Sequence, residues 1–281
     1  MLRSVSNGSL FYFWPLICRL MSIIDTIIIA IVEGLTEFLP ISSTGHMIIA
    51  EKLLQVPDND FTKLFTVGIQ LGAILAVVVL YWKKFVDFRN INFYLKLIVA
   101  VIPALVLGFL LSDTIDRLLE SSLTVAITMI LGGIILLFID AVFKKPTVDA
   151  EPALGFPKAF IIGLWQCVAM IPGVSRSAAT IIGGMQQNLT RRFAAEFSFF
   201  LAVPTMAAAT GYKLLKGYKT ISSDDIKSYL IGNLVAFVVA LLAIRFFIGF
   251  LQKHGFKLFG YYRIIVGALL LVLLATGVLK G

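Results

Sequence analysis

Charge is scarce in this sequence: Asp, Glu, Lys and Arg make up 14% of 281 residues, against 59% apolar. No soluble domain of this length needs so much apolar surface, so the chain reads as a polytopic membrane protein. Cysteine is scarcer still. Cys18 and Cys167 both lie in apolar surroundings and make no metal-ligand spacing, so they read as buried thiols with no disulfide. A basic tail is missing too. The net charge of +8 is dispersed over short loops, which argues against a nucleic-acid partner and for a membrane-facing charge set. Finally, no cleavable leader is evident. The apolar run 10–18 is too short to span a bilayer and lacks a small-residue cleavage site, so residues 1–20 are expected to be a dispensable extension.

Long hydrophobic runs and two polar interruptions are what the chain does have. From Met21 an apolar segment reaches Pro40, and the return arm 44–56 is too short to cross. A helix broken at that depth is tolerated only inside protein or beside a watery cavity, so a re-entrant hairpin is expected. Three spans follow at 64–82, 93–111 and 123–143, each about 20 residues long as a hydrocarbon core requires. The proline-bearing loop 144–158 divides the chain. A second hairpin turns near Pro172, and spans at 195–212, 229–250 and 261–279 complete the pattern. A nearly constant spacing sets Ser43 against Ser175, Phe65 against Phe197 and Tyr94 against Tyr229, as an internal duplication would.

The expected fold is therefore all-α, with a first repeat over 21–143 and a second over 159–281. Each repeat holds one re-entrant helical hairpin and three transmembrane helices. Three crossings are odd, so the halves have inverted topology and a site forms where they meet, near the midplane. One set of loops, around Lys83, Lys84, Arg89, Lys144, Lys145 and Arg263, is the more basic and is assigned to the cytoplasm. The termini and the first hairpin then open to the outside.

Two stretches carry chemistry. Glu33-Gly-Leu-Thr-Glu-Phe-Leu-Pro-Ile-Ser-Ser-Thr-Gly-His46 sets Glu33 and Glu37 one helical turn apart, where they can share a divalent cation or a proton. Ser42, Ser43 and Thr44 follow Pro40 where a helix should begin, and helix N-terminal amides with hydroxyls bind anions. Taken alone they would be a plain helix cap. His46 lies close to a serine and two acids, as a general acid or base would. The second stretch is Ile171-Pro-Gly-Val-Ser-Arg-Ser-Ala-Ala-Thr180, in which Arg176 offers a fork of donors to phosphate, flanked by Ser175 and Ser177 with Thr180 one turn on. Gln70, Gln166 and Glu196 either line the cavity or cross-link helices.

These two stretches resemble the signature motifs of bacterial undecaprenyl-diphosphate phosphatases, the bacitracin-resistance proteins, and the resemblance covers residues 21–281. It implies hydrolysis of undecaprenyl diphosphate to the monophosphate in the bacterial cell membrane, which recycles a cell-wall lipid carrier. It also implies Mg²⁺ or Ca²⁺ at Glu33 and Glu37, with Glu37, Ser43, His46 and Arg176 as catalytic positions. Phosphate contacts are expected from Ser42, Thr44, Ser175, Arg176, Ser177 and Thr180. Ser43 attacks, assisted by His46 or Glu37, or these groups orient a water. The prenyl tail is expected in a lipid-open groove between spans, and a second copy of the chain is a candidate partner. A transporter or flippase of a phosphorylated lipid is the rival reading, since broken helices are common transporter anatomy.

Overall fold

The computed structural model describes residues 21–119, 121–144, 146–218 and 222–279, so the extension 1–20, with Cys18, lies outside the described residues. Among the described residues thirteen α-helices follow one another, with no strand beyond an isolated bridge between Val148 and Leu189. The first hairpin pairs α1 (Ile23–Thr36) with α2 (Ser43–Leu53). Ser22 starts α1 through a reciprocal cap with Asp25, and the helix stops before the turn that holds Pro40. Then come α3 (Asp60–Gly68), α4 (Gln70–Leu80), α5 (Trp82–Val86), α6 (Ile91–Leu110), α7 (Ser112–Leu119) and α8 (Ser122–Val142). The second hairpin is α9 (Phe156–Val168) and α10 (Arg176–Gln186), followed by α11 (Arg191–Gly217), α12 (Ser223–His254) and α13 (Lys257–Ala275).

Six of these segments are long and apolar enough to cross a bilayer: α3 with α4, then α6, α8, α11, α12 and α13. Their outer faces carry bare large apolar side chains, among them Phe109, Phe138, Leu242 and Ile265. In water such a surface would be a liability; in lipid it costs nothing.

Small residues set the packing. A Cβ on Gly133 of α8 would lie 2.8 Å from the Gly260 carbonyl of α13, and one on Gly267 would lie 2.9 Å from the Ala126 carbonyl. The two helices therefore cross antiparallel with backbones nearly touching, the approach that glycine permits in membranes. Each hairpin's first helix makes a similar approach to a long helix of the other half: Gly34 to Ala236, and Gly163 to Ala100.

Four expectations change. The span at 64–82 is broken at Ile69, between α3 and α4. The amide of Gly72, in the first turn of α4, bonds the Asn233 side chain of α12 at 2.7 Å, so a neighbouring helix supplies an acceptor at the break. Among the others, α11 and α12 run well past the bilayer-length segments, and α7 is an additional short helix between two spans. Cys167 is only half-buried, with its Sγ donating to the Gly163 carbonyl at 3.4 Å.

Candidate active site

The tips of the two hairpins meet. Each return helix begins at a serine in the left-handed region, Ser42 with φ 70° and Ser175 with φ 75°. A non-glycine residue there is strained and persists only where surroundings over-determine it. This pair corrects the register read from the sequence: Ser42, not Ser43, is the counterpart of Ser175, which aligns Ser43 with Arg176. Pattern matching cannot see a one-residue slip when two serines stand side by side.

The two caps differ. The Ser175 hydroxyl accepts from the Ala178 amide at 3.3 Å and lies 3.1 Å from the Ser177 hydroxyl. Ser42 makes no such cap bond, so its side chain does not engage the first-turn amides of α2. The helix start after Pro40 and its counterpart at Ser175 are therefore unequal as anion cradles.

At the meeting point Glu37, the residue after α1, is bound on both carboxylate oxygens. Ser43 donates its hydroxyl to Oε2 at 2.7 Å, and Arg176 Nη2 reaches Oε1 at 3.3 Å. Arg176 Nη1 donates to the Ser198 carbonyl of α11 at 3.0 Å, and its guanidinium lies 5.8 Å from the Phe38 ring centre. Its third nitrogen, Nε, is buried without a partner. One turn back, Glu33 is 1% exposed and its Oε1 is also buried and unpartnered, with Glu37, Arg176 and Gln70 as its polar neighbours. An unmatched buried donor and an unmatched buried acceptor in one site are the complement of an anion and a cation. No third His, Cys, Asp or Glu converges on the pair among the described residues. A cation held there would complete its shell with hydroxyls, water or substrate oxygens.

The other anticipated residues lie elsewhere. Ser177 is fully buried and donates to the Leu39 carbonyl at 2.7 Å, pinning one turn to the other. The Thr180 hydroxyl donates to the Arg176 carbonyl at 2.8 Å and accepts from the Ser198 hydroxyl at 2.7 Å. Both hydroxyls are committed to structure. Thr44 is half-buried in the first turn of α2. His46 does not bond Ser43 or either acid. Its Nδ1 lies 2.7 Å from the Ser42 carbonyl and its Nε2 2.8 Å from the Tyr262 hydroxyl of α13. Of the polar groups in apolar runs, Gln166 takes a hydroxyl from Thr205 at 3.3 Å, while Glu196 pairs with Arg192 at 2.9 Å.

One residue was misread. Arg263, counted above among cytoplasmic loop charges, is fully buried in α13. Among the described residues it pairs with no carboxylate. Its five N–H donors go to five carbonyls: Nε to Met129, Nη1 to Pro40 and Val174, Nη2 to Thr128 and Gly173, at 2.9–3.2 Å. It thereby ties both hairpin turns to α8. Gly173, with φ 87°, admits this approach, because a Cβ there would strike the Thr128 hydroxyl and the Val125 carbonyl. The sequence signal was available in a lone arginine within the apolar run of the last helix.

An apolar bundle that encloses two acids, a hydroxyl and a guanidinium belongs to membrane proteins that handle a charged group inside the bilayer. Comparison narrows the class. Residues 26–269 match the bacitracin resistance protein BacA family, and the chain belongs to it. It is 59% identical to the undecaprenyl-diphosphatase of Flavobacterium psychrophilum over 90% of this chain and 96% of that protein. The Porphyromonas gingivalis undecaprenyl-diphosphatase is 52% identical over 92% and 99%, and that of Aquifex aeolicus 46% over 86% and 95%.

Proposed function

We propose that this chain is a membrane phosphatase that hydrolyses undecaprenyl diphosphate to the monophosphate and so recycles the lipid carrier. The observation that carries the reading is the Ser43 hydroxyl bonded to Glu37 Oε2 at 2.7 Å with Arg176 on the other carboxylate oxygen. That is a nucleophile or water-orienting group, a proton acceptor and a phosphate-binding fork in one contact chain. Transport of an anion requires no carboxylate on a hydroxyl, so the same contact favours hydrolysis over the flippase reading.

Arg176 swings little to engage phosphate, because its free Nε already lies in the site. Glu37 takes the proton from Ser43, or from a water that Ser43 holds, as attack on phosphorus proceeds. The first-turn amides of α2 receive the charge that develops on the phosphoryl oxygens. The unpartnered Glu33 Oε1 and the Glu37 carboxylate fit Mg²⁺ or Ca²⁺, which when bound would offset the charge of the diphosphate. An apolar groove of about 410 Å³ between α6 and α11, lined by Leu97, Val101, Val203 and Pro204, would take a few isoprene units of the prenyl tail, with the rest in lipid.

Inverted halves are part of this reading, supported by the antiparallel α8–α13 crossing and by the reciprocal packing of each hairpin on the opposite half. With Arg263 withdrawn from the loop tally, the loops around Lys83, Lys84, Arg89 and Lys144 remain the more basic set, which favours a cytoplasmic side for them and an outward-opening site in a bacterial inner membrane.

The test is phosphate release from undecaprenyl diphosphate by the purified protein, with Mg²⁺ or Ca²⁺ and with chelator. Release that stops on chelation and returns with metal is expected. No release with either metal would sink the reading, and release indifferent to chelator would remove the metal from it.

A further inference from the structure

The strained turn that presents Ser43 is not held by its own cap. In the second hairpin, the Ser175 hydroxyl caps α10, and four positions further on stands Ala179, which has no polar side chain. In the first hairpin, Ser42 makes no cap bond, and four positions further on stands His46, whose Nδ1 lies on the Ser42 carbonyl at 2.7 Å. A carbonyl only accepts, so Nδ1 carries the proton. In the neutral ring Nε2 then carries a lone pair, and the group facing it at 2.8 Å is the Tyr262 hydroxyl, which donates. The Tyr262 ring lies nearly parallel to the imidazole and beside it, with centroids 5.5 Å apart and planes within 5°. Next along α13, Arg263 holds the Pro40 carbonyl of the same turn at 3.2 Å.

Resting on the phosphatase reading above, we infer that Tyr262 is a positioning residue for the reaction: through His46 it holds the Ser42 carbonyl and so aims Ser43 and the first-turn amides of α2. The arrangement explains why a histidine near a serine touches neither that serine nor the acids. Its two nitrogens are spent on the backbone of the turn and on Tyr262. It also explains the unequal caps. A turn held from outside leaves the first-turn amides of α2 uncommitted to the Ser42 hydroxyl, whereas Ser175 spends its hydroxyl on the Ala178 amide.

Tyr262→Phe is the test, because it keeps the aromatic ring and removes only the hydroxyl. The chain has two histidines, so histidine-selective ¹⁵N labelling reports His46 with a single competing signal from His254. The wild type should show protonated Nδ1 with unprotonated, hydrogen-bonded Nε2, and Tyr262→Phe should lose the Nε2 hydrogen-bond signature and mix the tautomers. In phosphate release from a prenyl diphosphate with Mg²⁺, the variant should lose about tenfold in kcat, one hydrogen bond's worth, with KM nearly unchanged. Its thermal midpoint should stay close to wild type. Unchanged kcat, or an unchanged His46 signature, would overturn the inference, and so would a kcat loss matched by loss of folded protein. Wild-type protein that releases no phosphate yet shows the His46–Tyr262 signature would count against the phosphatase reading alone.

Discussion

Arg263, on the last helix, donates to the carbonyl of Pro40 in the first hairpin turn at 3.2 Å, from a position with no exposed surface. The same guanidinium holds Gly173 and Val174 of the second turn, each at 2.9 Å. One side chain thus fixes the distance between the two halves of the site. Arg263→Met should leave these carbonyls buried without donors, at about 1–3 kcal/mol for each one not rescued by water. Thermal unfolding in detergent should show a large drop for Met and a smaller one for Arg263→Lys, whose ammonium has fewer donors and no planar fork. Equal midpoints for Met and wild type would contradict this account.

Glu37 and Ser43 form one unit. Glu37→Gln and Ser43→Ala should each lower kcat by roughly 10²–10⁴-fold, the range of a lost acid–base or nucleophilic partner. Because each change breaks the same 2.7 Å contact, the double variant should be about as slow as the worse single one. Effects that multiply would show that the two residues act separately.

Arg176→Lys should cost far more than retention of charge suggests. An ammonium cannot reproduce donors to Ser198, Glu37 and a phosphate from one rigid fork. Saturation curves should show kcat falling by about 10²-fold or more, as for loss of an oxyanion donor. Unchanged constants would mean that the arginine is structural.

Outside the spans, Glu151 in the central loop receives Lys96 Nζ at 2.6 Å and Asn90 Nδ2 at 3.1 Å. Burial pushes its carboxyl up, but the Lys96 and Asn90 hydrogen bonds and the Lys96 charge outweigh burial and hold it below its ordinary value of 4.5. A depressed folded-state value stabilises the fold above the ordinary value and loses that contribution as pH falls through the lowered one. Glu151→Gln should therefore be less stable than wild type near neutral pH, and the gap should close below about pH 4.5. Thermal midpoints of both proteins against pH provide the measurement, and a gap independent of pH would refute it.

Hydropathy alone was enough to declare the membrane class, the number and order of the six apolar spans and the two hairpins, because span length and broken helices are local properties of the chain; the ends of α11 and α12 and the break at Ile69 were not legible in it. Glu33, Glu37, Ser43 and Arg176 were also legible as a set, since ionisable groups in apolar runs are costly and stand out. What hydropathy averages away is direction. It could not tell that Arg263 turns inward onto five carbonyls, because an arginine one turn into an apolar helix reads the same whether it reaches for the interface or for the core. Nor could it separate His46, bonded to Tyr262, from a histidine aimed at Ser43, since one turn of helix brings both within reach on paper. The slip between Ser42 and Ser43 was settled by backbone φ, which depends on how two turns pack against α8 and α13. The Arg176–Glu37 contact joins residues from opposite halves, and only the tertiary structure brings them together, by burying each half's polar tip against the other where neither could be solvated alone.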